Sequence, residues 1–182
     1  NHRNFVKNRL LRIDYNLDVH FHFKAFNHAL IESYWEKRGG VDYASASVKG
    51  PESARSKTAI VIEGKNPATG QWIVIDGIVE HLTQSQAEDK LWALNLKWKP
   101  DIITIAESGT GLELLALLQR HRRMPVIGQT LGGKGSKETR WERDLEPIFN
   151  SEALLISDEE TVFLEKVRAT LRRYPNFRNR GD

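Results

Sequence analysis

Apolar positions along this chain change their spacing in a regular way, and the spacing predicts the elements. Val19-His20-Phe21-His22-Phe23 alternates with period two, as a strand does. A helix is expected over residues 26–37, broken by Gly39-Gly40. Val41-Asp42-Tyr43-Ala44 reads as a short strand, and a polar loop runs from Ser45 to Ser56. Two β-branched runs, residues 58–63 and 71–79, flank Asn66-Pro67-Ala68-Thr69-Gly70, the pattern of a hairpin. Residues 102–106 are apolar at four of five positions, which suits a central strand covered on both faces. Further short strands are expected at 125–128 and 153–156.

Helix starts are marked by capping boxes, in which a hydroxyl and a side chain three residues on satisfy free backbone N–H groups. Thr83-Gln84-Ser85-Gln86 opens a helix with Ala87, Leu91, Leu94 and Trp98 on one stripe, ended by Pro100-Asp101. Thr110-Gly111-Leu112-Glu113 opens one reaching about residue 122, and Ser157-Asp158-Glu159-Glu160 one reaching about 173. Gly132-Gly133-Lys134-Gly135 reads as a mobile loop. A helix from about residue 137 carries Trp141 and Leu145 until Pro147. A hairpin unit followed by strand–helix–strand–helix predicts an α/β fold, a mixed β-sheet flanked by helices. Residues 1–40 are expected to be a lead-in packing on or linking to a domain over 41–182.

Composition narrows the chemistry. At 182 residues the chain is the size of one domain with an arm, and beginning at Asn1 it reads as an excised piece or a processed product. It has no cysteine, which excludes disulfides, thiol catalysis and cysteine metal sites. No apolar run approaches the length of a membrane helix. Net charge is +3 and the pI near 9.2. The cations gather at Arg3, Lys7, Arg9 and Arg12; at Arg120, Arg122, Arg123, Lys134, Lys137 and Arg140; and at Arg168, Arg172, Arg173, Arg178 and Arg180. Each cluster alone suits a solvated face; the three together suit a polyanion partner.

Ligands of α/β sheets gather at strand ends. Asp42 stands in the first strand of the domain and Glu107 just past a central one, while Asp182 ends a basic tail. Clustered carboxylates repel unless a cation lies between them, and hard oxygen donors favour Mg²⁺ or Mn²⁺. In that reading the glycines of Glu107-Ser108-Gly109-Thr110-Gly111 leave room for a ligand. The alternatives are that Asp42 caps a turn, Glu107 is solvated or favoured by a helix dipole, and Asp182 is an ordinary terminal residue. Asp76 and Asp101 read as structural. His20 and His22 share a strand face in the lead-in and read as exposed rather than metal-binding.

Four pieces in order, GGVDYA with TAIVIEG, KPDIITIAESGTGLELLALL, KGSKETRWERDLEPIFNSEALLIS and RRYPNFRNRGD, resemble the nuclease domain of the large terminase subunit of tailed bacteriophages. That resemblance implies a ribonuclease H-like fold and a divalent-metal-dependent endonuclease cutting double-stranded concatemeric DNA. It implies that Asp42, Glu107 and Asp182 bind two Mg²⁺ or Mn²⁺ ions. It further implies an N-terminal ATPase domain in the same protein, portal and small terminase subunit as partners, and the host cytoplasm as location. This chain has Tyr43 where the family often has proline, and it stops at the third acid. No GxxxxGK[ST] loop occurs, so ATP hydrolysis is not expected of this piece. Lys134, Lys137, Arg140, Arg178 and Arg180 are expected to contact DNA phosphates, with the 132–137 loop as a flap. Another ribonuclease H-like enzyme, such as a junction resolvase or transposase core, and a non-catalytic DNA or portal docking domain are the rivals.

Overall fold

Along residues 58–65 every second side chain is buried and the others are half-buried, so this strand is pressed on both faces. It lies in the middle of one sheet. The computed structural model describes residues 25–33, 35–45, 56–107, 109–121, 124–130, 143, 148 and 154–172. Its strands are β1 (Ala25–Phe26), β2 (Glu36–Asp42), β3 (Thr58–Lys65), β4 (Trp72–Glu80), β5 (Ile102–Ala106), β6 (Val126–Gln129) and β7 (Leu154–Ser157). They lie in the order β1-β7-β4-β3-β2-β5-β6. Among the described strands only β3 runs antiparallel to its neighbours, and the other six point one way. The helices whose bounds lie among the described residues are α1 (Gln84–Trp98), α2 (Thr110–His121) and α3 (Val162–Arg172). This is the mixed α/β sheet flanked by helices that the sequence predicts.

Two apolar clusters hold the layers together. On one face Ile60, Ile62, Ile73, Ile75, Ile103 and Ile105 meet Leu91 and Leu94 of α1 and Leu114 and Leu118 of α2. On the other face Val74 and Ile156 meet Phe163, Leu164 and Leu171 of α3. Each fully buried aliphatic side chain contributes about 1.5–3 kcal/mol of transfer free energy. No described helix is long and apolar enough to cross a membrane.

Residues 26–37 do not form the expected helix. They give the end of β1, a 3-10 turn over His28–Leu30 capped by the Asn27 side chain, and the start of β2. The period-two signal is masked in the sequence because a charged residue and a glycine occupy inward positions. Trp35, Lys37, Gly39 and Val41 are buried in alternation. The Lys37 ammonium is accommodated by donating to the carbonyls of Glu32 at 3.1 Å, Ser33 at 2.9 Å and Trp35 at 3.2 Å. Burial lowers its pKa, and the Asp101 carboxylate partly offsets this. Thus β1 and residues 36–40 join the same sheet as the strands after residue 41.

The capping box at Thr83 and Gln86 forms as expected. The one at Ser157 does not, because that serine is held in β7 by its pairing with Phe26 of β1. Thr161 caps α3 instead, its hydroxyl accepting from the Leu164 N–H at 3.1 Å.

Asp76 and Asp101 are structural. Asp101 Oδ2 accepts from the Lys37 backbone N–H at 2.9 Å. Asp76 accepts from Lys97 Nζ at 2.7 Å, Trp98 Nε1 at 2.8 Å and the Gly77 N–H at 2.7 Å, so it ties β4 to the last turn of α1. Burial alone would raise its pKa; these hydrogen bonds and the Lys97 charge outweigh burial, and the net shift is downward. A carboxyl lowered in the folded state stabilises above its unfolded value, near about 3.9, and that stability is lost as pH falls through the folded value. Asp76→Asn is therefore expected to cost about 1.5–3 kcal/mol at neutral pH and to flatten the acid limb below about pH 4. Urea unfolding followed from pH 2 to 7 checks both.

Candidate metal centre at the carboxyl rim of the sheet

Because six strands share one direction, their carboxyl ends share one rim. β5 and β6 lie on one side of β2, while β3, β4 and β7 lie on the other. The crevice of an open α/β sheet forms where the strand succession reverses, here between β2 and β5. The pairs Gly40–Thr104 and Val41–Ile105 set that junction. Asp42 is the last residue of β2, and Glu107 follows the last residue of β5. The fold thus brings to one rim two acids 65 positions apart in the chain.

Register also fixes their directions. Continued by one residue, it sets Asp42 level with Ala106 and leaves Glu107 one position farther. Alternation along the pleat puts exposed Asp42 on the face of Arg38 and Gly40, and Glu107 on the face of Ile103 and Ile105. The pleat therefore sends the two side chains toward opposite faces of the sheet at that rim.

Hydroxyl groups fix the backbone around Asp42. Thr58, fully buried, donates its hydroxyl to the Ala44 carbonyl at 3.0 Å and accepts from the Ala44 N–H at 3.2 Å. Thr110 donates to the Tyr43 carbonyl at 3.2 Å, joining the segment after Asp42 to the start of α2. Thr110 is thus the first residue of α2 and not the expected cap. Beyond the start of β3, Ser45 and Leu82 pair directly in parallel. His81, at the same rim, has its Nδ1 buried without a hydrogen-bond partner.

Glu107 is held as closely. Its N–H donates to the Gln129 carbonyl at 2.9 Å, extending the β5–β6 ladder by one step. Its Oε2 accepts from the Thr130 hydroxyl at 2.6 Å. A side chain at Gly128 would place its Cβ 2.1 Å from Glu107 Oε1 and 2.8 Å from Leu115 Cδ2.

Gly109 and Gly111 shape the turn from β5 into α2. Gly109 has φ +50°, a left-handed conformation, and a Cβ on Gly111 would stand 2.1 Å from the Ala106 carbonyl oxygen. Gly111 lets the first turn of α2 close onto the end of β5. The expected ligand space is filled, at Gly111, by the chain's own backbone.

Among the described residues, no group of three or more His, Asp or Glu side chains is arranged to hold a metal ion. Asp182 lies outside the described residues, as do Lys134, Lys137, Arg140, Arg178, Arg180, the 132–137 loop, His20, His22 and most of the helix expected from residue 137. Sequence reasoning missed Thr58, Thr110 as a tether, Gly128 and Thr130. Hydroxyls and a glycine at the ends of predicted strands were the available signal, and it is a common one.

No family model and no curated protein sequence matches the chain. Solved structures do. The nuclease domain of the g2p large terminase of bacteriophage SPP1, with bound Mn, is 18% identical, with a TM-score of 0.51 over 78% of this chain and 70% of that one. The human cytomegalovirus terminase nuclease domain is 12% identical, with a TM-score of 0.54 over 89% and 86%. The large terminase of a thermophilic bacteriophage, in complex with ADP, is 15% identical, with a TM-score of 0.54 over 80% of this chain and 34% of that one. The chain has the ribonuclease H-like fold of terminase nuclease domains, and it spans about a third of the thermophilic phage protein.

Gly111→Ala is expected to destabilise the chain by about 1–3 kcal/mol, since the added methyl meets backbone that cannot swing aside. A lowered urea midpoint with unchanged far-UV circular dichroism is the expected reading.

Proposed function

We propose that this chain is the nuclease part of a viral DNA-packaging terminase, a divalent-metal-dependent endonuclease that cuts double-stranded concatemeric DNA. One observation carries the reading: within a fold shared with terminase nuclease domains, Asp42 and Glu107 end adjacent parallel strands at one rim. Their donor chemistry fits the metal. Carboxylate oxygens are hard ligands suited to Mg²⁺ or Mn²⁺, and no cysteine competes. Mn is bound in the SPP1 neighbour.

Asp42, Glu107 and Asp182 would be the ligands for two ions, which requires the Asp42 and Glu107 side chains, leaving the sheet on opposite faces, to meet beyond the strand ends. When bound, such ions lower the pKa of a water and offset charge on the phosphate. The chain's own part is to present both acids at the rim before DNA arrives, so little reorganisation is left for the reaction. Lys134, Lys137, Arg140, Arg178 and Arg180 would contact phosphates without reading bases, and the 132–137 loop would cover the duplex. The part of the thermophilic phage terminase that this chain does not span supports an ATPase domain in the same polypeptide, because that protein was solved with ADP. Portal and small terminase subunit would be partners in a host cytoplasm.

Nicking of supercoiled plasmid in Mn²⁺ tests the reading. Asp42→Ala and Glu107→Ala are each expected to slow nicking by about 100-fold or more, and a chelator to abolish it. Undiminished nicking in both variants overturns the site, and no nicking by the unaltered chain favours a docking domain. Preference for branched DNA over linear duplex would favour a resolvase. Charge reversal at Lys134 and Lys137 is expected to weaken DNA binding and to flatten its salt dependence by about one unit of slope per lost contact.

A further inference from the structure

Glu107 reaches the rim on a side chain with three rotatable bonds, and two neighbours restrict it. Neither belongs to the carboxylate set. Gly128 faces it from β6, and the space a side chain there would need is occupied by Oε1. Thr130, one residue beyond β6, donates its hydroxyl to Oε2 at 2.6 Å, the length of a charge-assisted bond. The same ladder that aligns Ile105 with Gly128 and Ala106 with Gln129 sets Thr130 level with Glu107.

We propose that Thr130 is a positioning residue for Glu107, and that Gly128 provides the hollow in which the held carboxylate lies. The inference rests on the nuclease reading above. Thr130 is exposed and Glu107 half-buried, so a hydrogen bond between them adds little to folding stability. What it changes is direction. One carboxylate oxygen is occupied by a donor, the other lies against the sheet, and the rotamer is chosen before a cation binds. Partners of this kind around metal-binding carboxylates orient them and raise their affinity. Threonine suits the position because its branched Cβ limits χ1 while its hydroxyl donates.

The test is Mn²⁺ affinity measured on the chain by electron paramagnetic resonance, with the urea midpoint measured alongside. Thr130→Val is expected to weaken Mn²⁺ binding by about 10- to 100-fold with little change in urea midpoint. Thr130→Ser, which restores the donor, is expected to recover most of that loss. Gly128→Ala, which displaces Oε1, is expected to weaken binding as well. Glu107→Gln separates the two levels of the argument. Loss of Mn²⁺ binding in Glu107→Gln, with wild-type affinity in Thr130→Val, overturns the positioning role and leaves the metal site standing. Unchanged binding in Glu107→Gln overturns the metal reading and the positioning role together. A Thr130→Val chain whose urea midpoint falls in step with its affinity also overturns the role, because the hydroxyl would then be structural.

Discussion

Parallel pairing of β2 with β5 is the constraint on which the rest depends. Gly39 lies against Ile103 and Val41 against Ile105, and all four are buried. Slipping that register by one residue would turn Ile103 and Ile105 out of the apolar layer they share with α1 and α2. Register is therefore held by core burial, and the rim inherits it. Asp42 and Glu107 are where they are because isoleucines several ångströms below them are packed.

Above the core, the rim is organised by hydroxyls. Thr58 satisfies both backbone groups of Ala44, Thr110 reaches the Tyr43 carbonyl and Thr130 reaches the Glu107 carboxylate. Strand ends leave backbone groups without ladder partners, and a short side chain that donates and accepts closes them without bulk. Glycine does the complementary work. Gly111 admits the Ala106 carbonyl and Gly128 admits the Glu107 carboxylate, each where a methyl would collide. The opposite sheet face stays open at Arg38, Gly40 and Asp42.

Much of the fold could be read from the chain. The hairpin of β3 and β4, the strand at Ile102–Ala106 and the capped start of α1 follow from local pattern and chemistry. They are legible because hydrophobic period and capping are properties of neighbouring residues. β2 failed as a local reading because its inward positions include Lys37, a residue stabilised there by three carbonyls from the preceding turn. α3 started later than its motif because Ser157 was claimed by β1, a partner more than 100 positions away.

By itself the sequence placed acids at predicted strand ends and at the chain's basic tail, gave no thiol, and gathered its cations in clusters. It also determined the class of fold, since periodicity decides which segments are strands and which are helices. Only the tertiary structure decided that the two strand ends lie side by side and point the same way, and that Gly111 and Gly128 make room for the chain's own oxygens. Strand order and close approach depend on how distant segments share one core, and no local window of residues contains that information.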